Sequence, residues 1–563
     1  MCDHLRKVAL GQEPADILIK NGQLVNVLTQ EIYPADIVIA GEQIAGIGHY
    51  TEGIRVIDAQ GKYILPGFIN THCHVESSMA APAYYCAEEL GWGVTTLVTD
   101  PHEIANVAGL PGIRYMLQAT EQLPVNYFVQ LPSCVPATPF EHAGSILDAE
   151  ALGTLVGTPG VWGLGEVMNV PGILQGDGDL LAKLHLPGLH NVDGHAPGVS
   201  GRALNAYIAH GINTDHESVT WAEAREKARL GLAVLVREGS ASKNLEALVK
   251  GIVADNFSTT NMAFCTDDKH LADIRREGTI RHCIRKAVAL GLPLMQALSM
   301  ATINAARIMG LPKLGALLPG WQADVLVVDD LKELRPCHVF HKGQEALGLD
   351  YTIVEPGEAL QGSVQVASFD EATFAVEQFL PGRDYPVIEI LPGEIVTKRG
   401  QVVGENVAGL LDSGELCMIA VLERHHATGH VGIGLLRGYG LTRGAVATTV
   451  AHDSHNLIVA GTNARDMYVA VQEIIRVQGG YTLVTQGRVV DTLPLNICGL
   501  MSSAPPEQLI PHLEAISQKA WNLGVSQAID AFITLSFMAL PVIPQIRITD
   551  MGMFDVEKFT FIK

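Results

Sequence analysis

Short β-branched runs, separated by turn pairs, fill the first sixty or so positions of the chain. ADILIKNGQLVNV, ADIVIAGEQIAGIG and RVIDAQGKYIL are such runs, with NG, AG and QG pairs among them. No helical periodicity interrupts them, so the pattern predicts a set of short strands. A similar run returns at residues 314–343. We predict one composite β-domain from residues 1–65 and 310–345; two separate small β modules are the alternative.

The chain between these two segments alternates strand-like and helix-like patterns. Helical patterns cover, for example, residues 221–231 and 244–255. Eight strand candidates with helices between them predict a (β/α)8 barrel of the TIM type over residues 66–309, rather than an open sheet. The strand candidates are, in order, FINTHCH, TTLVTDPH, NYFVQLPSCVP, VWGLGEVM, LHNVDGHAP, GINTDHE, LAVLVREGSAS and MAFCTDDKH.

The character of the chain changes after about residue 345. An acidic stretch with frequent Pro and Gly, YTIVEPGEALQGSVQVASFDEA, precedes a third region with strands and helices of its own. We predict a separate C-terminal α+β domain over residues 370–563. The predicted fold class is therefore α/β, with a barrel inserted in a composite β-domain and followed by this third domain.

Composition and charge exclude several classes of protein. The chain has 563 residues and a formal net charge of −22, which argues against binding to nucleic acid because phosphates need a basic surface. No run of 18 or more apolar residues predicts a membrane span, and the first residues lack the apolar core of a signal peptide. Nine cysteines without a CxxC pair fit reduced thiols, so we expect a cytoplasmic protein.

The polar residues with catalytic or metal-binding chemistry cluster at the ends of the predicted barrel strands. Because barrel active sites form at the C-terminal ends of strands, these groups are predicted to converge. They are His72-Cys73-His74, Asp100-Pro101-His102-Glu103, Glu166, Asp193-Gly194-His195, Asp215-His216-Glu217, Arg237-Glu238-Gly239-Ser240 and Asp267-Asp268.

Each of these groups also has a structural interpretation. The HxH pair could lie on the surface, His195 could be simply hydrogen-bonded, and Asp267-Asp268 could cap a helix. Their recurrence at the same end of successive strands favours one shared site. Four histidines with two carboxylates predict a cation such as Zn, Mn or Fe rather than Ca.

Together these motifs resemble the amidohydrolase superfamily and, within it, the adenine deaminase family. LPGFINTHCH, a strand-end Glu, two further His and a final Asp carry the first resemblance. The second covers essentially the whole chain, since ERHHATGHVGIG and TTVAHDSHNLIVAGTN are similar to that family's C-terminal domain. The barrel motifs that carry it are THCHVESS, VTDPHEIANVAG, LGEVMN, DGHAPG, TDHES, REGSASKNL and CTDDKH.

The resemblance implies two divalent cations per chain, with Mn²⁺ or Fe²⁺ expected and Zn²⁺ also acceptable. The first two ligand histidines would bind one cation and the last two the other. Glu166 would bridge them, where many relatives have a carbamylated lysine. Asp267 would bind the first cation, accept the proton of the activated water and pass it on. The implied ligand set is His72, His74, Glu166, His195, His216 and Asp267.

The reaction that the resemblance implies is hydrolytic attack at C6 of adenine, releasing hypoxanthine and ammonia. N1 must be protonated, yet the HAGE motif of adenosine deaminases reads His-Ala-Pro-Gly at residues 195–198, without its glutamate. We expect Glu238 to be the donor, with Glu103 as second candidate. Asp268, Glu103 and Ser240 are predicted to bind the substrate. Glu103 could instead support a ligand imidazole.

The C-terminal region holds a second dense group of histidines. It is either a polar seam between domains or a cover over the barrel mouth, of the same or a neighbouring subunit in a homo-oligomer. Two other functions stay open, a cyclic-amide hydrolase of the dihydroorotase or hydantoinase type and a catalytically inactive purine-binding scaffold. The histidines are His425, His426, His430, His452 and His455.

Overall fold

The computed structural model describes residues 2–240, 242–349, 351–392, 394 and 396–562. A helix, α1 (Cys2–Ala9), precedes a strand-rich segment. β1 runs antiparallel to β2 and parallel to β4 and β5. The strands of this segment are β1 (Ala15–Asn26), β2 (Glu31–Ala40), β3 (Gln43–Gly48), β4 (Gly53–Asp58) and β5 (Tyr63–Pro66).

The middle of the chain forms a curled parallel sheet. Its core strands are buried along their whole length, because helices cover the outer face and side chains fill the interior. The strands are β6 (Phe68–His74), β7 (Val94–Thr99), β8 (Asn126–Leu131), β9 (Val161–Val167), β10 (Asn191–Gly194), β11 (Thr214–Asp215), β12 (Ala233–Arg237), β13 (Met262–Cys265) and β14 (Asp267–Asp268).

Hydrogen bonds close this sheet into a barrel. β14 continues β13 and pairs parallel with β6, aligning Asp268 with His74. On the opposite side, N of Asn213 donates to O of Val192 (3.1 Å), and N of Val192 donates to Oδ1 of Asn213 (3.0 Å), which joins β10 to the strand β11. The predicted barrel fold is thus confirmed.

Helices alternate with the barrel strands. The two sequence-predicted helices correspond to α8 and α9. A 3-10 turn, Glu76–Ser78, follows β6. The helices are α2 (Pro82–Gly91), α3 (His102–Thr120), α4 (Ala149–Gly153), α5 (Val170–Gln175), α6 (Gly178–Leu184), α7 (Gly201–Ala209), α8 (Trp221–Arg229), α9 (Leu245–Asp255), α10 (Leu271–Glu277), α11 (Ile280–Ala289), α12 (Leu294–Met300) and α13 (Ile303–Ile308).

The chain then returns to the first sheet. β15 (Val325–Val328) pairs antiparallel with β5, and β16 (Pro336–His341) and β17 (Gln344–Glu345) extend the same sheet. Both segments therefore share one sheet around the inserted barrel, as a composite β-domain requires.

The C-terminal region is built on an eight-stranded mixed sheet. Side chains of β20 alternate between two apolar clusters, with Met418 on one face and Ile419 on the other. Helices α16 and α17 contribute to opposite clusters, which explains why this strand is continuously apolar. The elements are α14 (Glu358–Gln361), two 3-10 turns (Glu371–Phe374 and Val376–Gln378), β18 (Asp384–Ile390), β19 (Thr397–Val403), α15 (Gly404–Asp412), β20 (Leu416–Leu422), β21 (Val431–Arg437), β22 (Ala445–Thr448), β23 (Leu457–Gly461), α16 (Ala464–Val477), β24 (Gly480–Thr485), β25 (Arg488–Pro494), α17 (Pro506–Asn522), α18 (Ala531–Phe537), β26 (Ile546–Thr549), β27 (Gly552–Asp555) and β28 (Thr560–Phe561).

This C-terminal region packs against the barrel mouth. N of Ala81 donates to O of Ser502 (3.0 Å), and N of Ser502 donates to O of Met79 (2.8 Å). Met79 and Leu271 of the barrel join the apolar cluster of the C-terminal sheet. Among the described residues, no helix combines the length and apolarity needed to cross a bilayer.

Candidate active site

The six side chains predicted as metal ligands meet at the C-terminal ends of the barrel strands. Glu166 lies between the two histidine pairs. Its Oε2 is 2.6 Å from Nδ1 of His195 and 3.1 Å from Nε2 of His216, while its Oε1 is 3.5 Å from Nε2 of His74. A carboxylate in this position can lie between two cations, each beside one pair of histidines.

Asp267 lies beside the other pair of histidines. Its Oδ1 is 3.1 Å from Nε2 of His74 and 3.5 Å from Nε2 of His72. The Nε2 atoms of His72 and His74 are themselves 3.1 Å apart, as the HxH spacing on one strand face requires.

Buried groups behind the cluster orient the histidines. Nδ1 of His72 donates to Oδ2 of Asp193 (2.7 Å), and Nδ1 of His74 donates to O of Asp100 (2.8 Å). The Asp100 carboxylate also accepts from N of Glu166 (2.9 Å). Asp193 and Asp100 were visible in the sequence as strand-end carboxylates, but only the fold reveals which histidine each residue holds.

The donor set fits divalent cations. Both ring nitrogens of His216 are buried without a hydrogen-bond partner in the described part of the chain, although Nε2 lies beside Glu166. Burial opposes ionisation of Glu166, but His195 and His216 hold its pKa well below the usual value. Burial acts likewise on Asp267, whose pKa Arg237 and His72 hold well below its usual value. Imidazoles around ionised carboxylates suit borderline cations.

Arg237, rather than Glu238, points from β12 to the cluster. Nη1 of Arg237 donates to Oδ2 of Asp267 (2.7 Å) and also to the Glu217 carboxylate. Because successive side chains on a strand point to opposite sides, Glu238 faces outward, where Nζ of Lys286 lies 2.6 Å from its Oε1. The structure therefore does not bring Glu238, our first candidate for the N1 donor, to the ligand cluster.

Asp268 and Glu103 lie together beside the cluster. Oγ of Ser77 is 2.9 Å from Oε1 of Glu103 and 2.5 Å from Oδ1 of Asp268. One hydroxyl hydrogen cannot serve two carboxylates, so this contact favours a proton on one of them. Burial and the neighbouring Glu76 and Asp268 carboxylates raise the pKa of Glu103 well above its usual value.

Ser240 supports the loop that carries Asp268. Its hydroxyl donates to Oδ2 of Asp273 (2.5 Å) and accepts from N of His270 (2.9 Å). Its own N donates to O of Asp268 (2.8 Å). These contacts occupy the hydroxyl that we predict to bind the substrate.

A narrow pocket next to these carboxyl groups lies between the barrel and the C-terminal region. His452 stacks on Phe537 with ring centroids 5.1 Å apart, and its Nδ1 is 3.8 Å from Oε1 of Glu103. The pocket thus has a carboxyl-rich side and a largely apolar side. Its lining residues are Glu76, Ser77, Met79, Asp268, His270, Val450, His452, Tyr481, Ile533, Ser536 and Phe537.

The other four histidines of the C-terminal group make structural contacts. Nε2 of His425 donates to O of Ser454 (2.8 Å), and Nδ1 of His455 accepts from N of Ala451 (3.1 Å). His426 and His430 lie at the seam with a barrel loop. Nε2 of His426 donates to O of Ala143 (3.0 Å), and the His430 ring packs on His142 at 4.6 Å.

Comparison with known proteins places the chain in a family. The amidohydrolase family model matches residues 63–162 and 181–361, and the model of the adenine deaminase C-terminal domain matches residues 394–560. Adenine deaminase 2 of Carboxydothermus hydrogenoformans is 42% identical, covering 99% of this chain and 98% of that protein. Adenine deaminase of Halalkalibacterium halodurans is 43% identical, covering 100% and 98% respectively.

Solved structures align at lower similarity. One titled as an adenine deaminase is 16% identical, with a TM-score of 0.45, and covers 59% of this chain and 99% of that one. The identification therefore comes from the full-length relatives and the two family models. The chain belongs to the adenine deaminase family of amidohydrolases.

Proposed function

We propose that this protein hydrolyses adenine to hypoxanthine and ammonia. The observation that carries the proposal is the wall of carboxyl groups beside the ligand cluster, where Glu103 meets Asp268 of the pocket lining at Ser77. Such a wall offers a proton donor and an acceptor to a ring that carries a basic nitrogen next to an amino group. The full-length relatives, named for the same reaction, support this choice.

We infer that two divalent cations bind at the cluster of six ligands. Mn²⁺ or Fe²⁺ is the preferred pair, and Zn²⁺ is also compatible with imidazole and carboxylate donors. The chemistry that such cations supply is a water molecule with a pKa lowered to near neutrality. Glu166 is the proposed bridge, because its two oxygens face different histidines.

Asp267 is the proposed proton shuttle. It accepts a proton from the attacking water and delivers it to the departing amino group. Arg237 holds Oδ2 of this carboxylate at 2.7 Å, which leaves Oδ1 on the side of the ligand histidines. The arginine thereby fixes the plane of the carboxylate during the transfer.

Glu103 is the proposed donor to N1, in place of Glu238. Glu238 is ion-paired with Lys286, and its pKa is lowered, against the effect of burial, by His282 and Lys286. Glu103 has the opposite character, since its surroundings favour the protonated form. Asp268 then accepts a hydrogen bond from a substrate N–H. Ser240 contributes to binding by holding the Asp268 loop.

The C-terminal domain is the proposed cover of the substrate. With C6 facing the ligand cluster, the N9 edge of adenine lies on the far side of the ring, towards the apolar wall. Ile533 and Phe537 belong to that wall, and His452 links it to Glu103. A closed wall leaves no room for a sugar and keeps bulk water from the reacting ring.

The carboxyl-rich wall also argues against dihydroorotate as the substrate. Dihydroorotate carries a carboxylate, which Asp268 in the pocket lining would repel. The test is ammonia release from adenine by the Mn²⁺-loaded protein, beside ring opening of dihydroorotate and hydantoin. Faster ring opening would overturn the proposal, and adenine binding without ammonia release would favour the inactive scaffold.

We further propose a cytoplasmic homo-oligomer. The eight cysteines whose thiols are described are all free, which fits a reducing compartment. Light scattering at working concentration would establish the number of subunits, and a monomer would contradict this part of the proposal.

A further inference from the structure

A fully buried lysine lies directly behind one half of the ligand cluster. Lys227, on α8, has no exposed side-chain surface. Its Nζ donates to Oδ2 of Asp215 (2.8 Å), to O of Ala196 (2.7 Å) and to Oε1 of Glu223 (2.8 Å). All three hydrogens of the ammonium are therefore used.

Two of these acceptors adjoin ligand histidines. Ala196 follows His195 in the chain, and Asp215 precedes His216. The two segments are also joined to each other, because N of Ala196 donates to Oδ1 of Asp215 (2.9 Å). Lys227 and Asp215 thus form a bracket across the ends of β10 and β11, defined by these two side chains.

The bracket is specific to one pair of histidines. His72 and His74 are held differently, through Asp193 and the carbonyl of Asp100. A buried ion pair also adds little stability over apolar residues of similar size, because both charges lose their water. What apolar residues cannot do is fix two backbone segments at hydrogen-bonding distance from one charge.

We propose that Lys227 is a positioning residue for the cation held by His195 and His216. It acts through the backbone on either side of the bracket and touches neither substrate nor cation. The inference rests on the proposed binding of two cations. The expected effect is selective. Loss of the bracket weakens binding of the cation at His195 and His216 and leaves the cation at His72 and His74 in place.

The test measures cation equivalents, independently of turnover. Wild type, Lys227→Met and Lys183→Met are dialysed against graded chelator and their Mn²⁺ content is determined. Lys183 is the matched control, a buried lysine on α6 that donates to O of Ser133 (3.1 Å) and pairs with Asp179. Ser133 in turn donates to the backbone of Glu166, between the two histidine pairs, so the control favours neither cation. We expect the affinity of Lys227→Met for one of its two Mn²⁺ ions to fall by about 10–100-fold, the usual effect of losing a group behind a ligand.

Two further variants keep the result decisive. Asp215→Asn retains an acceptor for Ala196 but removes the charge, and should weaken the same cation even if Lys227→Met folds poorly. In a His195→Asn background, Lys227→Met should not lower the affinity for the cation at His195 and His216 any further. In a His72→Asn background, it should lower that affinity as much as it does in the wild type.

The possible failures differ from one another. Unchanged binding of both cations in Lys227→Met and Asp215→Asn would overturn the positioning role. Equal loss of affinity for both cations in Lys227→Met would also overturn it. So would a loss of affinity in Lys183→Met as large and as selective as that in Lys227→Met. Wild type with fewer than two equivalents would instead overturn the two-cation proposal, and this inference with it.

Discussion

Asp267 combines two contacts that distinguish it from an ordinary ligand. Oδ1 faces the histidines of the cluster, while Oδ2 is held by Arg237. We expect Asp267→Asn to reduce kcat by about 10²–10⁴-fold, because an amide cannot accept the proton. Mn²⁺ content should fall less than in His74→Asn. Steady-state kinetics with cation analysis checks this, and turnover near that of wild type would exclude the shuttle role.

Glu103 and Glu238 allow a matched comparison of two buried carboxylates. Glu103→Gln keeps an oxygen for Ser77 but cannot donate a proton to N1. Its kcat should fall by about 10²–10⁴-fold with little change in KM. Glu238→Gln, which only disrupts the pair with Lys286, should stay within about tenfold of wild type. The reverse order of the two variants would return the donor role to Glu238.

Glu89 should make stability depend on pH outside the site. It is fully buried on α2, and burial raises its pKa from 4.5 to about 7, although the Thr279 hydroxyl donates to it. The protonated form is favoured in the folded state, so its contribution is complete below pH 4.5 and is lost as pH rises through about 7. Between these values the free energy of unfolding should fall by ~3 kcal/mol.

Glu89→Gln should remove most of that decline. Urea unfolding midpoints at several pH values, for wild type and variant, would measure it. Parallel pH profiles for the two proteins would show that Glu89 is ionised in the folded state.

The sequence identified the residue types at the strand ends, but not which of two neighbours points inward. Arg237 and Glu238 illustrate the limit. A shift of one position exchanges the inner and outer faces of a strand, and a strand such as AVLVR, which is apolar up to its final arginine, gives no alternation from which to read the register. The HxH motif of β6 escapes this ambiguity, because residues two apart share a face.

At the scale of elements, β9 requires glycine next to Glu166, the proposed bridging residue. A Cβ on Gly165 would lie 2.1 Å from Oδ2 of Asp100, the oxygen that accepts from N of Glu166. Gly165→Ala should displace Asp100 and weaken Mn²⁺ binding by about 10–100-fold. Gly153→Ala on α4 is the control, because its Cβ meets only Leu186 at 3.5 Å. Equal Mn²⁺ content in both variants would contradict this account of β9.

The order of elements was more predictable than their length. Alternating strand and helix patterns predicted the barrel, yet β11 is two residues long and owes its place to hydrogen bonds with β10 and β12. Such a strand has too few residues to show a period. The pairing of β15 with β5 likewise depends on a contact distant in sequence, which the pattern suggested only through the similarity of the two segments.

At the scale of the whole molecule, the sequence could not locate the C-terminal domain relative to the barrel. The five histidines look equivalent in sequence, but only His452 lines the pocket. The others bind backbone or lie at the seam. Docking depends on the shape of two folded surfaces, including Met79 and Leu271 of the barrel, and periodicity carries no information about it.

The docked domain should make the enzyme selective for the free base. Adenosine carries a ribose at N9, the edge that faces Ile533 and Phe537 when C6 faces the ligand cluster. The difference in kcat/KM between adenine and adenosine should therefore exceed the roughly 1–3 kcal/mol that a single misfit group costs. Comparable kcat/KM values for the two substrates would exclude a closed wall.

Phe537→Ala tests the wall itself. Removing the ring opens space beside His452. The ratio of kcat/KM for 9-methyladenine to kcat/KM for adenine should therefore rise by at least about tenfold over the wild type. Phe559→Ala is the matched control, since Phe559 is 51% exposed and lies outside the pocket. The adenine turnover of Phe537→Ala reports on how well the wall shields the ring from water. This turnover should fall by a smaller factor than the kcat/KM preference for adenine over 9-methyladenine, because the catalytic groups of the barrel stay in place. An unchanged ratio for 9-methyladenine would mean that the N9 edge faces another part of the pocket, with Phe537 serving only to dock α18 on the barrel.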